Sequence, residues 1–229
     1  MCGIAGFSGN IDKNCLVLAT TSLNHRGPDD MGVFYNDSGQ VGLGHTRLPI
    51  IDLSPLGHQP MISDDKSVAL VFNGEIYNFQ ELRLQLEIKG YVFKGGSDTE
   101  VVLNMYLEYG IKCLSKLNGI FGVAFYDLCS DKIFLARDGL GVKPLYYFSN
   151  DELVSFSSEI KSLLELIPDG LTPDHVSLQR YMTFLWCPGD GTPAKSIKKV
   201  LPGDVLTIRA GKIIDSVTWF ELPQSKAGE

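Results

Sequence analysis

Cysteine is scarce in this sequence, with five residues scattered over a length of 229. None of them belongs to a Cys-x-x-Cys pair, and their number is odd, so neither a zinc site nor a disulfide framework is indicated. Cysteines of this kind fit a reducing compartment best, and we therefore expect a cytoplasmic protein. The five are Cys2, Cys15, Cys113, Cys129 and Cys187.

Long apolar runs and an excess of positive charge are also missing. No apolar stretch approaches the ~20 residues that a membrane span needs, and the apolar start lacks the basic region of a signal peptide. The net charge is −7, which is opposite to the charge of a nucleic-acid-binding surface. We expect no membrane span, no secretory leader and no nucleic-acid partner.

Short apolar runs separated by turn residues fill most of the chain, which is typical of an α+β protein with antiparallel sheets and helices packed outside. The predicted strands cover residues 4–7, 33–35, 41–48, 68–72, 120–127, 132–137, 145–148, 153–157, 205–209 and 212–217. The predicted helices cover 12–23, 78–90, 101–109 and 158–166, and a further helix starts at Thr172-Pro173.

Three helix starts carry recognisable caps. Asn78 with Glu81 resembles a capping box, Asp98 or Thr99 is a candidate N-cap for the helix over 101–109, and Thr172 is the N-cap predicted before Pro173. Asn73-Gly74-Glu75 follows the apolar strand 68–72 and has the composition of a turn at a strand end. Such a turn could also present a backbone N–H beside an amide side chain.

Cys2 is the first candidate for chemistry. If Met1 is removed, Cys2 carries both a thiol and a free α-amine, whose ordinary pKa of ~7.7–8.0 lets it take the thiol proton near neutral pH. Position alone says little, because most free cysteines are inert core residues. A Cys–His pair with His25, His45 or His58 is the alternative source of a base.

Six short motifs follow one another along the chain. Together they resemble the glutaminase domain of class II glutamine amidotransferases, and the resemblance is nearest to glutamine-hydrolysing asparagine synthetase. Each motif alone is weak, whereas six in the family's order are specific, and they extend from Met1 to about Trp219. The motifs occupy residues 1–7, 25–29, 45–48, 73–78, 96–100 and 137–147.

The resemblance implies the N-terminal nucleophile hydrolase fold, a four-layer αββα sandwich of two antiparallel sheets with helices outside. It also implies an enzyme that releases ammonia from glutamine. On this basis residues 1–219 form the glutaminase domain, and residues 220–229 are a linker or a frayed tail. The family's synthetase domain is expected to be absent from this sequence.

The resemblance also implies the catalytic roles. Cys2 attacks the side-chain amide carbon of glutamine with its own α-amine as base. The Asn73 side chain and the Gly74 backbone N–H form the oxyanion hole, where hydrogen-bond donors must be fixed before charge develops.

The substrate-binding roles follow from the zwitterionic ends of glutamine. The guanidinium of Arg47 holds the α-carboxylate, and Asp98 and Glu75 receive the α-ammonium. Arg26 is expected in a loop that covers the site. The pocket lining is completed by Leu48, Ile50 and Ile51.

No pyrophosphate-binding Ser-Gly-Gly-x-Asp-Ser loop occurs in the sequence. We therefore expect no metal or cofactor for this chain, and we assign ATP and Mg²⁺ to a synthetase domain or partner chain that receives the ammonia. Two alternatives stay open: a glutaminase domain that serves an amidotransferase acting on a sugar or other acid, and a non-catalytic glutamine-binding or interaction module. The sequence also leaves a homodimer open.

Overall fold

Two six-stranded antiparallel sheets form the centre of the structure, a computed structural model that describes residues 1–168 and 170–222. The first sheet runs in the order β10 (Ile197–Lys199), β8 (Tyr146–Ser149), β9 (Leu153–Ser157), β1 (Gly3–Gly9), β3 (Val41–Arg47), β2 (Asp30–Tyr35). The second runs in the order β12 (Lys212–Thr218), β11 (Asp204–Arg209), β7 (Lys132–Arg137), β6 (Gly119–Asp127), β5 (Val68–Ile76), β4 (Met61–Ile62).

Helices cover the outer faces of both sheets. Helices α1 (Lys13–Thr21) and α4 (Ile160–Leu163) pack on the first sheet, and α3 (Asp98–Tyr109) packs on the second with α2 (Phe79–Ile88) beside it. A fifth helix, α5 (His175–Phe184), buries little of its surface. The layers are therefore helix, sheet, sheet and helix, and the predicted αββα sandwich is confirmed. None of the helices in the described part of the chain is both long and apolar enough to span a bilayer.

Strand β5 shows why the apolar runs in this sequence are nearly continuous. Ala69 and Val71 are buried in the core between the two sheets, whereas Leu70 and Phe72 are buried against the outer helices. Because side chains alternate between the faces of a strand, a sheet covered on both faces needs apolar residues at every position.

The same alternation places polar side chains between the sheets at one end of the sandwich. Ile4 of β1 and Leu43 of β3 face the core between the sheets. Two residues before Ile4 lies Cys2, and further along the inward row of β3 lie His45 and Arg47. On β5, Asn73 follows Val71 in the inward row. Three inward rows thus end in polar groups at the same place.

The predicted turn at Asn73-Gly74-Glu75 is wrong, because β5 continues to Ile76. Gly74 pairs with Phe121 of β6, and Ile76 pairs with Gly119. Asn and Gly are poor strand formers, but β6 supplies partners over the whole length of β5, and tertiary pairing overrides local propensity.

One predicted helix start is also wrong, and one correctly predicted N-cap residue lacks its capping bond. Helix α5 begins after Asp174, whose side chain accepts from the N–H of Val176 at 3.2 Å, while Pro173 forms a bridge with Ala194. Asn78 makes no cap bond to α2, since its amide nitrogen donates to the carbonyl of Lys116 at 3.0 Å.

Helix α3 starts earlier than predicted, at Asp98, and its N-cap is Ser97 rather than Asp98 or Thr99. The predicted helix over 158–166 is a short α-helix, α4, followed by a 3-10 turn over Leu164–Leu166. The other predicted helices and strands agree with the structure to within three residues at each end. Phe220 still packs against Trp219, and the rest of the predicted tail from residue 223 lies outside the described residues.

Candidate active site

A cleft opens at the end of the sandwich where the three inward rows stop. It collects the predicted nucleophile, both predicted oxyanion donors and all of the predicted substrate-binding residues. Ile50 and Ile51 lie at its exposed rim. The predicted residues that line it are Cys2, Arg47, Leu48, Ile50, Ile51, Asn73, Gly74, Glu75 and Asp98.

The thiol of Cys2 is partly buried beside Leu48. The N–H of Leu48 donates to Cys2 Sγ at 3.5 Å, and the thiol reaches the Leu48 carbonyl at 3.8 Å. Burial raises the pKa of the Cys2 thiol, while the Leu48 N–H, the positive chain terminus and Arg47 act in the opposite direction. A thiol with a raised pKa needs a base before it can attack a carbonyl carbon.

No histidine among the described residues is hydrogen-bonded to the Cys2 thiol. His45 is fully buried, donates from Nε2 to the Phe72 carbonyl at 3.2 Å, and has its pKa lowered to about 3 by burial. His25 and His58 pair with carboxylates at 2.9 and 2.7 Å. In the described part of the chain the recorded contacts of Cys2 Sγ go to Leu48, which favours an N-terminal amine as base.

Strand β5 turns one edge toward the cleft. Alternate N–H groups of an antiparallel strand point to opposite sides. On the cleft side, the N–H of Phe72 donates to Gln59 Oε1 at 2.6 Å, and the N–H of Ile76 donates to Asp98 Oδ2 at 3.0 Å. Gly74 lies between them with the same parity, so its N–H points from this edge into the cleft.

Gly74 and Asn73 provide adjacent donors. A Cβ at Gly74 would collide with the carbonyl oxygen of Ile120, so only glycine lets the strand pack this closely on β6. The Asn73 side chain is 1% exposed, and its Nδ2 is buried without a hydrogen-bond partner among the described residues. A buried unpaired donor is costly and calls for an explanation, which an incoming oxygen would supply.

Asp98 places a buried carboxylate across the cleft. Burial raises its pKa, the N–H groups of Ile76 and Thr99 oppose that shift, and the neighbouring charge of Glu75 adds to it. A cation bound between Asp98 and Glu75 would relieve the repulsion of the two carboxylates. The pair therefore suits an ammonium group.

Arg47 is held by the loop that follows it. Its guanidinium donates to the carbonyls of Ser54 at 2.9 Å and of Asp52 at 2.5 Å. Gly57 packs flat against this group, and a Cβ there would collide with Nη2. Because a guanidinium carries five N–H donors, further donors remain for a ligand carboxylate.

Arg26 is not among the residues that line the cleft, but it lies next to the site, and its place in a covering loop stays a prediction. Its Nε donates to the carbonyl of Cys2 at 2.9 Å, and its Nη1 donates to Glu159 at 2.9 Å. Arg26 therefore holds the backbone of the nucleophile from behind.

Five polar residues of the cleft lining are absent from the sequence-based assignment: Asp52, Gln59, Ser97, Thr99 and Lys143. Thr99 follows Asp98 in a motif that the resemblance covers, and Lys143 lies in the motif 137–147, so position in those motifs was an available signal. Gln59 lies outside every motif and has no periodic pattern around it.

Comparison with known proteins now identifies the chain. The sequence profile of the glutamine amidotransferase domain matches residues 1–219. The chain belongs to this family. Its glutamine amidotransferase domain is the sandwich described above.

The relatives of this glutamine amidotransferase domain include asparagine synthetases. Asparagine synthetase [glutamine-hydrolyzing] 1 of Bacillus subtilis is 42% identical over 228 residues, which cover 96% of this chain and 35% of that protein. A putative asparagine synthetase [glutamine-hydrolyzing] 2 of Methanocaldococcus jannaschii is 39% identical over 183 residues, which cover 72% of this chain and 35% of that protein. The chain thus spans 35% of the length of each of these relatives.

Solved structures share the fold at lower identity. The glutamine phosphoribosylpyrophosphate amidotransferase from B. subtilis, complexed with ADP and GMP, aligns with a TM-score of 0.72 and 21% identity over 96% of this chain and 49% of that one. An allosteric regulatory enzyme of purine biosynthesis aligns with a TM-score of 0.73 and 22% identity over the same shares. The predicted N-terminal nucleophile hydrolase fold is confirmed.

Proposed function

We propose that Cys2, as the first residue of the mature chain, hydrolyses the side-chain amide of glutamine to glutamate and ammonia. The observation that carries the proposal is the convergence of three inward rows on one cleft. There the Cys2 thiol shares the cleft with an edge N–H of Gly74 and with Asn73 Nδ2, which has no hydrogen-bond partner among the described residues.

Each bond change has a group in the cleft to support it. The α-amine takes the thiol proton, and sulfur attacks the amide carbon while the carbonyl electrons move to oxygen. Asn73 Nδ2 and the Gly74 N–H stabilise that oxyanion. Its collapse expels ammonia, with the proton returned from the terminal ammonium, and leaves a thioester on Cys2. Water then attacks the thioester, the same amine acts as base, and glutamate leaves.

Met1 must be removed for this chemistry. Met1 lines the cleft and is 56% exposed, so its loss opens the site. The α-amine of Cys2 then lies on the same residue as the thiol.

The ends of the substrate are recognised by charge. Arg47 binds the α-carboxylate with the N–H donors that its loop leaves free, and Asp98 with Glu75 binds the α-ammonium. Glutamine then lies with its side-chain amide toward Cys2, which brings the reacting atoms together at little further entropic cost.

The ammonia passes to an acceptor-activating synthetase domain or partner chain, which we expect to use ATP and Mg²⁺. Aspartate is the acceptor that the 42% identical asparagine synthetase supports best, and a sugar or other acid is the alternative. Alone, this chain is expected to form glutamate without ATP or Mg²⁺ and to form no asparagine. The cytoplasmic location expected from the five cysteines stays a prediction, as does the homodimer.

The test measures glutamate and ammonia released from glutamine by protein whose intact mass shows that Met1 is absent. Cys2→Ala should abolish release and retain the fold, and Cys129→Ala, which changes an exposed cysteine, should retain activity. A non-cleavable N-terminal tag should inactivate the protein, and a C-terminal tag should not. Glutamate release by a folded Cys2→Ala protein would overturn the proposal.

A further inference from the structure

Strand β4, which pairs with the edge of β5, ends just before the proposed oxyanion donors Asn73 and Gly74. Strand β4 pairs Met61 with Leu70 and Ile62 with Ala69, and the same register would place Gln59 opposite Phe72. Pro60 lies between and has no N–H to donate. The backbone of the chain therefore does not continue the ladder as a strand at Phe72.

Two side chains replace the missing strand at this point. Gln59 Oε1 accepts from the N–H of Phe72 at 2.6 Å, and His45 Nε2 donates to the carbonyl of Phe72 at 3.2 Å. Gln59 is 4% exposed and His45 is 0% exposed. Both backbone groups of the residue that precedes Asn73 are thus bonded by buried side chains.

These side chains also connect β5 to both substrate-binding groups. His45 lies on β3 two residues before Arg47. The amide nitrogen of Gln59 reaches Thr99 Oγ1 at 3.4 Å, and Thr99 is next to Asp98 on α3. A shift of either side chain would move the donor strand relative to the substrate.

We propose that His45 and Gln59 are positioning residues that clamp Phe72 and thereby set where Asn73 and Gly74 present their donors. The inference rests on the proposed function, because it assigns the clamp to the oxyanion hole of glutamine hydrolysis. Oxyanion donors stabilise the transition state only if they are fixed before charge develops, and displacements of about 1 Å can lower rates ~10²-fold.

The first test uses a matched pair of amide substitutions at His45. The Gln side chain in His45→Gln can extend its Nε2 to the Phe72 carbonyl, whereas the shorter amide in His45→Asn cannot. We expect His45→Asn to lower kcat for glutamate release by about 10- to 100-fold with little change in KM. His45→Gln should restore most of that loss. Gln59→Met keeps the volume, removes the acceptor for Phe72 and should also lower kcat.

Ser155→Ala is the control for loss of a buried hydrogen bond. Ser155 is fully buried on β9, and its hydroxyl donates to Leu166 at 3.1 Å, away from the cleft. We expect this variant to unfold at a lower temperature and to keep the wild-type kcat. Its thermal shift calibrates how much instability alone changes the rate.

A double-mutant cycle then separates positioning from general structural support. In an Asn73→Ala background, His45→Asn and Gln59→Met should lower kcat by a much smaller factor, because one donor that they position is already gone. An equal factor in both backgrounds would overturn the inference, and so would wild-type kcat in both single variants. If the wild-type protein releases no glutamate, the proposed function fails as well. If wild type and Asn73→Ala behave as proposed, a contrary result for the His45 and Gln59 variants contradicts only the clamp and not the proposed function.

Discussion

Val71 and Asn73 are two residues apart on one strand, face the same way and are equally hidden from solvent. Val71 is 0% exposed and Asn73 is 1% exposed. Val71 packs in the filled core between the sheets, whereas Nδ2 of Asn73 is buried without a partner among the described residues. Burial of Val71 stabilises the fold, whereas burial of Asn73 leaves an unpaired hydrogen-bond donor available to a ligand.

The difference extends beyond this strand. Four buried side-chain atoms lack a hydrogen-bond partner in the described part of the chain, and three of them belong to Arg26, His45 and Asn73 at the cleft end. Each unpaired buried group costs about 1–3 kcal/mol. Because the rest of the sandwich is well packed, it can hold this end in an unfavourable arrangement, as is common at functional sites.

Asn73→Ala, which removes a proposed oxyanion donor, should have the largest effect on activity. Removing one oxyanion donor lowers kcat by ~10²–10³-fold, while stability should stay unchanged or rise because an unpaired polar group is lost. Steady-state kinetics and urea unfolding on the same preparation measure both. A fall in affinity with an unchanged kcat would contradict the oxyanion role, because that contact strengthens in the transition state.

Val71→Ala should lower the free energy of unfolding and leave the chemistry intact. It removes two buried methyl groups, and the transfer and cavity contributions together amount to about 2–3 kcal/mol of unfolding free energy. The kcat of the folded fraction should stay near wild type, since Val71 does not line the cleft. A loss of kcat like that of Asn73→Ala, in protein that is fully folded, would show that the two positions are not separable.

The sequence predicts the strands and the core of the sandwich better than it predicts the cleft. Alternation along strands such as β5 is a local property, so the strands, their buried faces and the sandwich could be inferred before the structure. Cys2, Arg47, Asn73 and Asp98 came from motif resemblance, and the structure brings all four to one cleft. Their roles stay predictions.

What could not be predicted depends on distant partners. Asn73-Gly74-Glu75 has the composition of a turn, and only the pairing with β6 makes it strand. Gln59 has no pattern of its own, because its importance follows from where β4 ends. The helix start at Asp174 rather than Thr172 reflects the bridge from Pro173 to Ala194, which lies on a separate segment.

Gly57→Ala should sharpen the comparison within the cleft by separating binding from chemistry. A Cβ at this position would displace the Arg47 guanidinium, which lies at the flexible end of its side chain, so the fold should accept the change. Charge-assisted hydrogen bonds contribute about 1.5–3 kcal/mol, and partial loss should raise KM for glutamine roughly tenfold with a smaller change in kcat. Gly170→Ala, at an exposed position where an added Cβ meets nothing within 4 Å and the backbone φ is not positive, is the control for an added methyl group. An unchanged KM would contradict the proposal that Arg47 binds the substrate carboxylate.

The smallest effect concerns pH and the burial of His45. Burial lowers its folded-state pKa from 6.5 to about 3, so between these values the unfolded chain binds a proton on His45 and the folded chain does not. Stability therefore falls as pH drops below 6.5, by roughly 1 kcal/mol at pH 6 and with a limiting slope of about 1.4 kcal/mol per pH unit. Carboxyl groups ordinarily titrate toward the lower end of this range, so wild type alone cannot assign the slope. His45→Gln keeps a donor for Phe72 and does not titrate, and it should be less sensitive to pH between 7 and 5 when unfolding by urea is followed. Equal slopes for the two proteins would mean that His45 takes up a proton in the folded state, and the neutral buried imidazole inferred here would be wrong.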